Sequence, residues 1–566
     1  MPFGLSLRAV GRRYWKAKGR FVSAQPSRAL SITCRGKSIS REEVFRYTNG
    51  RFLMDENHAF LRRYVKFDLD QLCAVAASAG GQNSPVNAIE KMEGGFSKAL
   101  LLRKEDGSEI IAKIPFPIAG PPKYTTAAEV AVLQYLHAHT QIPVPKVLAW
   151  SSDPSNPVGA EYIIMEKASG IQLFKRWGEM TDYDQFCLVK QLTRLEGELA
   201  ALRFPASGSL YPCESMGQND TYVTLDRETD PSGRFCIGPS CERGWDIQAK
   251  TVSSHSQLDQ GPWPSLSSFG IALAERELAR IEQNPTTAMS DPPRGSFEEQ
   301  IAVLKMARDV MLRLDSDTLI DKVSQPVLWH TDLHMGNIYV SDEDVTKIVS
   351  IIDWQSIVIS PLFLQARFPE FLSVDEDYAL GTEIPKLPKD YDQMDEEDKK
   401  LADYKLQEAK MAKTYELSSG SQNKQAYKAL FIPSFLRELF TRCGEASEEG
   451  IVPLRACLIE LSTEWAEIGF TGQCPFIFSD EDIRKHDQEF EKYRDFHKIQ
   501  ELARKLLDTD SEGWIAPQLD FSLKQQQNEE LLRDVMRRSH EYNKSPEEVQ
   551  RIWPFLDRSK TKTHSQ

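Results

Sequence analysis

Between residues 86 and 166 the apolar positions fall into short runs: 88–92, 99–104, 109–116, 147–150 and 162–165. Runs of this length, separated by turn residues such as Asp106-Gly107, predict the five strands of a sheet. Among them, residues 125–139 place Val130, Leu133 and Leu136, with Val132 alongside, at the spacing of a helix packed by one face; Pro143 and Pro145 end it. Beyond Gly170 the period becomes helical, over 182–202, 297–314, 425–470 and 481–507. Residues 205–265 are rich in Gly, Pro, Ser and Cys and are expected to form an ordered, irregular insertion. The stretch 374–412 is strongly charged, with Asp395-Glu396-Glu397-Asp398 followed by two lysines.

This pattern predicts an α+β chain in two lobes. An N-terminal helical extension spans 42–85, a small β-rich N-lobe 86–168, and a larger helical C-lobe 169–373 with the insertion 205–265. A charged linker or exposed helix follows over 374–424, and helices over 425–566 complete the C-lobe.

The chain has 566 residues, 41% hydrophobic and 27% charged, the profile of a globular protein. It contains no apolar run of the 18 or so residues a membrane helix needs. A net charge of −14 argues against a nucleic-acid partner, because phosphate backbones are held by Lys and Arg patches; it suits cationic or neutral small substrates better. Nine cysteines without a C-x-x-C pair read as reduced thiols.

Charge is not evenly spread. Residues 1–41 hold ten basic side chains and no acid. Arg8, Arg12, Lys16 and Arg20 stack on one helical face opposite Leu7, Val10, Tyr14 and Phe21, the signature of a mitochondrial presequence over 1–41. Arg28-Ala29-Leu30-Ser31 resembles a matrix-protease site, and cleavage after Leu30 would take the net charge from −14 to −21. A mitochondrial, matrix location is therefore expected.

The most specific chemistry lies in His330-Thr331-Asp332-Leu333-His334-Met335-Gly336-Asn337 and in Val349-Ser350-Ile351-Ile352-Asp353-Trp354. Asp332, on a loop after a strand, is placed to accept the proton of a substrate hydroxyl and aim its oxygen at a γ-phosphate. Asn337 and Asp353 supply oxygens to Mg²⁺. Asp332 and Asp353 are 21 residues apart, enough for one hairpin turning at 341–344 and bringing Asn337 beside Asp353. His330, Asp332 and His334 also alternate as zinc ligands would, a weaker reading.

W-H-T-D-L-H-M-G-N followed by I-I-D-W resembles the catalytic motif of the aminoglycoside phosphotransferases and choline kinases, within the protein-kinase-like superfamily. The resemblance covers roughly 86–370. Over its whole length the chain is similar to fungal mitochondrial phosphotransferase-like proteins of the altered-inheritance-of-mitochondria group. It implies a bilobal kinase-like fold using ATP and Mg²⁺, and the lobe that should hold ATP has matching residues. Gly94, Gly95 and Ser97 form a turn able to approach phosphates. Lys113 ends Ile110-Ile111-Ala112-Lys113 in the manner of the phosphate-binding strand lysine, and Glu129 on the following helix would pair with it. The backbone at Glu166 and Ala168 would meet the adenine edge. No Walker or dinucleotide glycine signature is present.

The acceptor is expected to be a small molecule with a hydroxyl group, bound by the insertion and by segments after 360. Trp177, Trp245, Trp263 and Trp354 either box a cationic head group or belong to the core. The alternative function is a nucleotide-binding pseudokinase or scaffold in mitochondrial maintenance. A ubiquinone-biosynthesis-type kinase is disfavoured because its K-x-G-Q segment is missing.

Overall fold

The computed structural model describes residues 30–81, 83–245, 258–283, 294–315, 319–374 and 378–556. The basic face over residues 8–20 and the Arg28-Ala29 part of the cleavage motif lie outside the described residues.

The described chain opens with a short hairpin, β1 (Ser31–Cys34) and β2 (Lys37–Ser38), turning at Arg35 and Gly36, both at positive φ. There follow α1 (Arg41–Phe45), β3 (Arg51–Phe52), α2 (Glu56–Leu61) and α3 (Leu69–Ser78). The N-lobe sheet is built from β4 (Val86–Glu93), β5 (Ser97–Lys104), β6 (Glu109–Pro115), β7 (Val147–Ser151) and β8 (Tyr162–Glu166). All five expected strands are present, but the sheet has seven, in the order β2-β1-β4-β5-β6-β8-β7. The two extra strands come from 31–38, and β1 runs parallel to β4 with Ile32 buried against Ile89. Residues 31–41, assigned above to the basic segment, therefore belong to the folded lobe: four residues on a sheet edge carry too short a pattern to read. Two buried lysines of the sheet fasten the extension. Lys91 donates to the carbonyls of Glu43 and Arg46, and Lys98 to that of Phe45, capping the C-terminal end of α1.

Helix α4 (Tyr124–His139) follows β6, as expected, but it is not packed by one face only. Its residues 125–133, 135 and 136 are all buried. The insertion covers the outer side with a three-stranded sheet of β10 (Ser209–Pro212), β12 and β11, rather than irregular chain. Here β11 is Val223–Thr224 and β12 is Phe235–Gly238. Ala127 and Ala128 pack on Tyr211, Cys236 and Cys241, and the Tyr135 hydroxyl donates to Thr229 O at 3.0 Å.

The C-lobe begins with β9 (Ile171–Gln172) and α5 (Asp182–Ala201), and continues after the insertion with α6 (Leu266–Gln283) and α7 (Phe297–Met311). Next come β13 (Pro326–Leu328), β14 (Ile338–Val340), β15 (Ile348–Ile351), β16 (Ile359–Pro361) and α8 (Leu362–Gln365). The charged stretch forms a 27-residue helix, α9 (Glu396–Gln422), whose acidic start is a cap: the Asp395 carboxylate accepts from the N–H groups of Glu397 and Asp398. It is not merely exposed, since it buries Ala412, Tyr415, Glu416 and Ser419 along α5. Helices α10 (Lys424–Leu430), α11 (Ser434–Gly444), α12 (Ala446–Glu449) and α13 (Val452–Thr463) finish the core of this lobe.

The last segment departs from the expected C-lobe helices. After α14 (Asp480–Leu507), β17 (Trp514–Ile515) pairs antiparallel with β3, and α15 (Phe521–Arg537) and α16 (Pro546–Ile552) pack with α14 into a separate small core that includes Leu53. The C-terminus thus returns to the N-terminal extension. Among the described residues, no helix is long and apolar enough to cross a membrane.

Candidate active site

Residues from both lobes meet at Lys113. It is the fifth residue of β6, directly opposite Ala99 of β5 and Ile163 of β8, and its side chain leaves the sheet toward α4. Its ammonium donates to Glu129 Oε1 at 2.7 Å and to Asp353 Oδ1 at 2.7 Å. Burial alone would lower the Lys113 pKa, but the two carboxylates outweigh it and hold the group above its ordinary value. The Lys113 charge in turn pulls Asp353 below the usual carboxylate range.

Asp353 lies two residues beyond the end of β15 and adopts φ 64°, the left-handed region that a residue other than glycine enters at a cost. Its surroundings hold it there. The ring of Trp354 is buried against His330, edge to face at 4.6 Å, and its Nε1 donates to Ile351 O. Burial pushes the His330 pKa down, so the ring is neutral, and His330 Nε2 bonds Ile352 O at 2.9 Å. The two histidines of the His-Asp-His alternation have structural partners: His330 braces the Asp353 turn, and His334 Nδ1 accepts from Gly336 N. No cluster of three metal-ligating side chains occurs among the described residues.

The hairpin forms as its spacing implied. β14 pairs with β15, Ile338 opposite Ile351, and Ile352 N donates to Asn337 O at 3.0 Å, which sets Asn337 beside Asp353. The Asn337 amide nitrogen donates to Asp332 O at 3.0 Å, shaping the loop between β13 and β14 and turning the amide oxygen to the other side. Asp332 itself is exposed on that loop. Two anionic oxygens at Asp353 and an amide oxygen at Asn337 are the hard donors that suit Mg²⁺, and one ammonium against two carboxylates leaves a net negative charge there. The residues present fit the metal.

The turn between β4 and β5 is Gly94-Gly95-Phe96. Gly94 N is spent on Ser97 O at 3.0 Å, so of the expected turn residues only Gly95 and Ser97 keep N–H groups clear of that bond. Glu166 ends β8 and its N–H donates to Lys146 O, while Ala168 lies half-buried in the connection to β9. Gly170, just beyond, has φ +83°, and a Cβ there would stand 2.2 Å from Val340 O, so only glycine lets the lobe connection pass β14.

Beside the loop that carries Asp332 a cavity of about 160 Å³ is lined by Glu196, His330, Asp332, Gln365, Arg367 and Glu370. Burial pushes Glu196 up to about 8, although Tyr415 donates to it at 2.8 Å. Sequence reasoning missed Glu196 and Tyr415, which lie on separate helices 219 residues apart. The tryptophans make no box. Trp245 and Trp263 pack together in the core with centroids 4.7 Å apart, Trp354 is buried, and Trp177 packs on Phe371.

The profile of the phosphotransferase enzyme family matches residues 88–364, which contain Lys113, Glu129, Asp332, Asn337 and Asp353. Over 511 residues the chain is 31% identical to a subtelomeric hrmA-associated cluster protein of Aspergillus fumigatus, covering 82% of this chain and 96% of that one. The chain belongs to the phosphotransferase enzyme family. It is also similar, at 23% identity over 586 residues, to altered inheritance of mitochondria protein 9, mitochondrial, of Saccharomyces cerevisiae, with 88% of this chain and 90% of that protein covered. Among solved structures it is similar to a putative aminoglycoside phosphotransferase from Ralstonia eutropha, at 12% identity and TM-score 0.35, covering 76% of this chain and 96% of that one. In this family member Lys113 and Glu129 of the N-lobe are joined by an ion pair to Asp353, which follows the β14–β15 hairpin.

Proposed function

We propose that this protein is an ATP- and Mg²⁺-dependent phosphotransferase that acts on a hydroxyl group of a small molecule in mitochondria. The observation that carries the reading is the meeting of Lys113, Glu129 and Asp353 within 2.7 Å contacts, beside a loop in which Asn337 shapes Asp332. A lysine shared by two carboxylates is ready to exchange one of them for phosphate oxygens. Lys113 would keep Glu129 and turn to the α- and β-phosphates, while Asp353 and Asn337 would hold the metal. Mg²⁺ would neutralise charge on the β- and γ-phosphates. Gly95 and Ser97 would approach the phosphates through backbone N–H groups, and the Glu166 carbonyl and Ala168 N–H would take the adenine edge. Asp332 would orient the acceptor hydroxyl and receive its proton as the new O–P bond forms and the bond to the ADP oxygen breaks. The 160 Å³ cavity under Asp332 offers room for part of the acceptor. The basic N-terminal segment and the name of the yeast relative support the location.

The test is transfer of label from γ-labelled ATP to a metabolite extract by the purified protein with Mg²⁺. Asp332→Asn is expected to bind ATP with wild-type affinity and to lose at least about a hundredfold in transfer rate. Equal transfer by the variant would refute the assignment of Asp332, and ATP binding without transfer by the wild type would leave a nucleotide-binding scaffold.

A further inference from the structure

Arg63 is 3% exposed and belongs to no part of the catalytic machinery, yet its guanidinium reaches the phosphate-covering turn. Its Nε donates to Gly95 O at 3.2 Å, its Nη1 to Ala59 O at 3.2 Å, and its Nη2 to Glu512 Oε2. The guanidinium lies over the rings of Phe52 and Tyr47, 4.7 and 5.5 Å from their centroids, so its plane is fixed as well as its charge. Glu512 also receives Arg62 at 3.4 Å, and it stands in the connection between α14 and β17. That connection is itself anchored: Leu53 N donates to Gly513 O at 2.8 Å, Trp514 Nε1 to Asn49 O at 2.7 Å, and Trp514 pairs with Phe52.

Phe96 O accepts from Phe116 N at 2.9 Å and Gly94 N closes on Ser97 O, but among the described residues the Gly95 tip itself has few other holds. A Cβ on Gly95 would meet nothing within 4 Å, and Phe96 is 39% exposed, touched by the Arg243 guanidinium at 3.8 Å. A glycine turn is free to rise and fall over phosphates unless its backbone is tied, and here one carbonyl is tied to a carboxylate 417 residues further along the chain. We infer that Glu512 and Arg63 are positioning residues: the C-terminal segment acts as a strap that holds the Gly94–Phe96 turn at the height where its N–H groups serve nucleotide phosphates. The inference rests on the nucleotide reading above and adds to it a control point far from the cleft.

The strap acts on phosphates and not on adenine, which separates it from a general structural role. Dissociation constants of MgATP and of adenosine are measured for the full chain, for Glu512→Ala and for the conservative Glu512→Asp, together with hydrogen exchange over 94–97 and the thermal midpoint. Glu512→Ala is expected to bind MgATP about tenfold more weakly, the scale of one charged hydrogen bond, with adenosine affinity unchanged and faster exchange at the turn; Glu512→Asp is expected to recover part of the loss. Equal MgATP affinity and unchanged exchange in Glu512→Ala would overturn the strap alone. Parallel loss of MgATP and adenosine would also overturn it, by showing a collapse of the lobe. A wild-type chain that binds neither would overturn the nucleotide reading and the strap with it.

Discussion

Lys113 is one cation holding two acids, and the two acids differ. Asp353 keeps about 42% of its side chain exposed and can be satisfied by water or metal, whereas Glu129 is buried and pairs, among the described residues, with no other cation. Lys113→Met should therefore destabilise the fold by about 3–5 kcal/mol, because it strands a buried charge. Adding Glu129→Gln should recover much of that loss, since it removes the stranded charge. Urea unfolding of the single and double variants reads both effects, and a double variant less stable than Lys113→Met would contradict the assignment. At this scale the sequence was informative. Lys113, Glu129 and Asp353, singled out from their spacing and motif, meet in one ion-pair cluster, and Asn337 bonds the loop that carries Asp332. Gly94 was only half right, since its N–H closes the turn that it was expected to offer.

Elements show where pattern reading stops. The Glu129 helix was legible as a helix, but its second buried face was not, because the sheet that covers it comes from a Gly- and Pro-rich segment with no alternating pattern of useful length. That cover means α4 is gripped on both sides, by the N-lobe sheet and by the insertion, which fixes Glu129 opposite Lys113. The lobe connection depends on one residue. Gly170→Ala should lower stability by about 1–3 kcal/mol from backbone conformation alone, and by more as its Cβ displaces Val340 of β14. A thermal midpoint within a degree of wild type would show that the connection can shift and that the glycine is dispensable.

At the scale of the whole molecule, the C-terminal segment returns to the N-terminal extension, with β17 paired to β3 and Leu53 in the core of the last helices. Within the C-lobe, helix α9 is joined to α5 by the Tyr415 hydroxyl on Glu196, a residue that lines the cavity beside Asp332. Glu196 is raised to about 8 from a model-peptide value of 4.5, with burial as the cause. An acid whose pKa rises on folding binds more protons when folded, so its contribution is complete below pH 4.5 and is lost as pH climbs through 8. Glu196→Gln should remove this part of the pH dependence: close to wild type near pH 5, and more stable than wild type near pH 8.5. Thermal melts across that range check the sign, and parallel curves for the two proteins would show that Glu196 titrates normally.

Local chemistry and periodicity determined the five central strands and the hairpin from Asn337 to Asp353, since each follows from neighbours within about twenty positions. Only the tertiary structure decided the rest: the two edge strands from 31–38, the sheet over α4, the buried face of α9, the cavity at Glu196 and the return of the C-terminus to Arg63. These join segments tens to hundreds of residues apart, and such contacts are chosen by which apolar surfaces and buried charges are left to cover after the local elements have formed. A chain's spacing records the first choice and leaves no trace of the second.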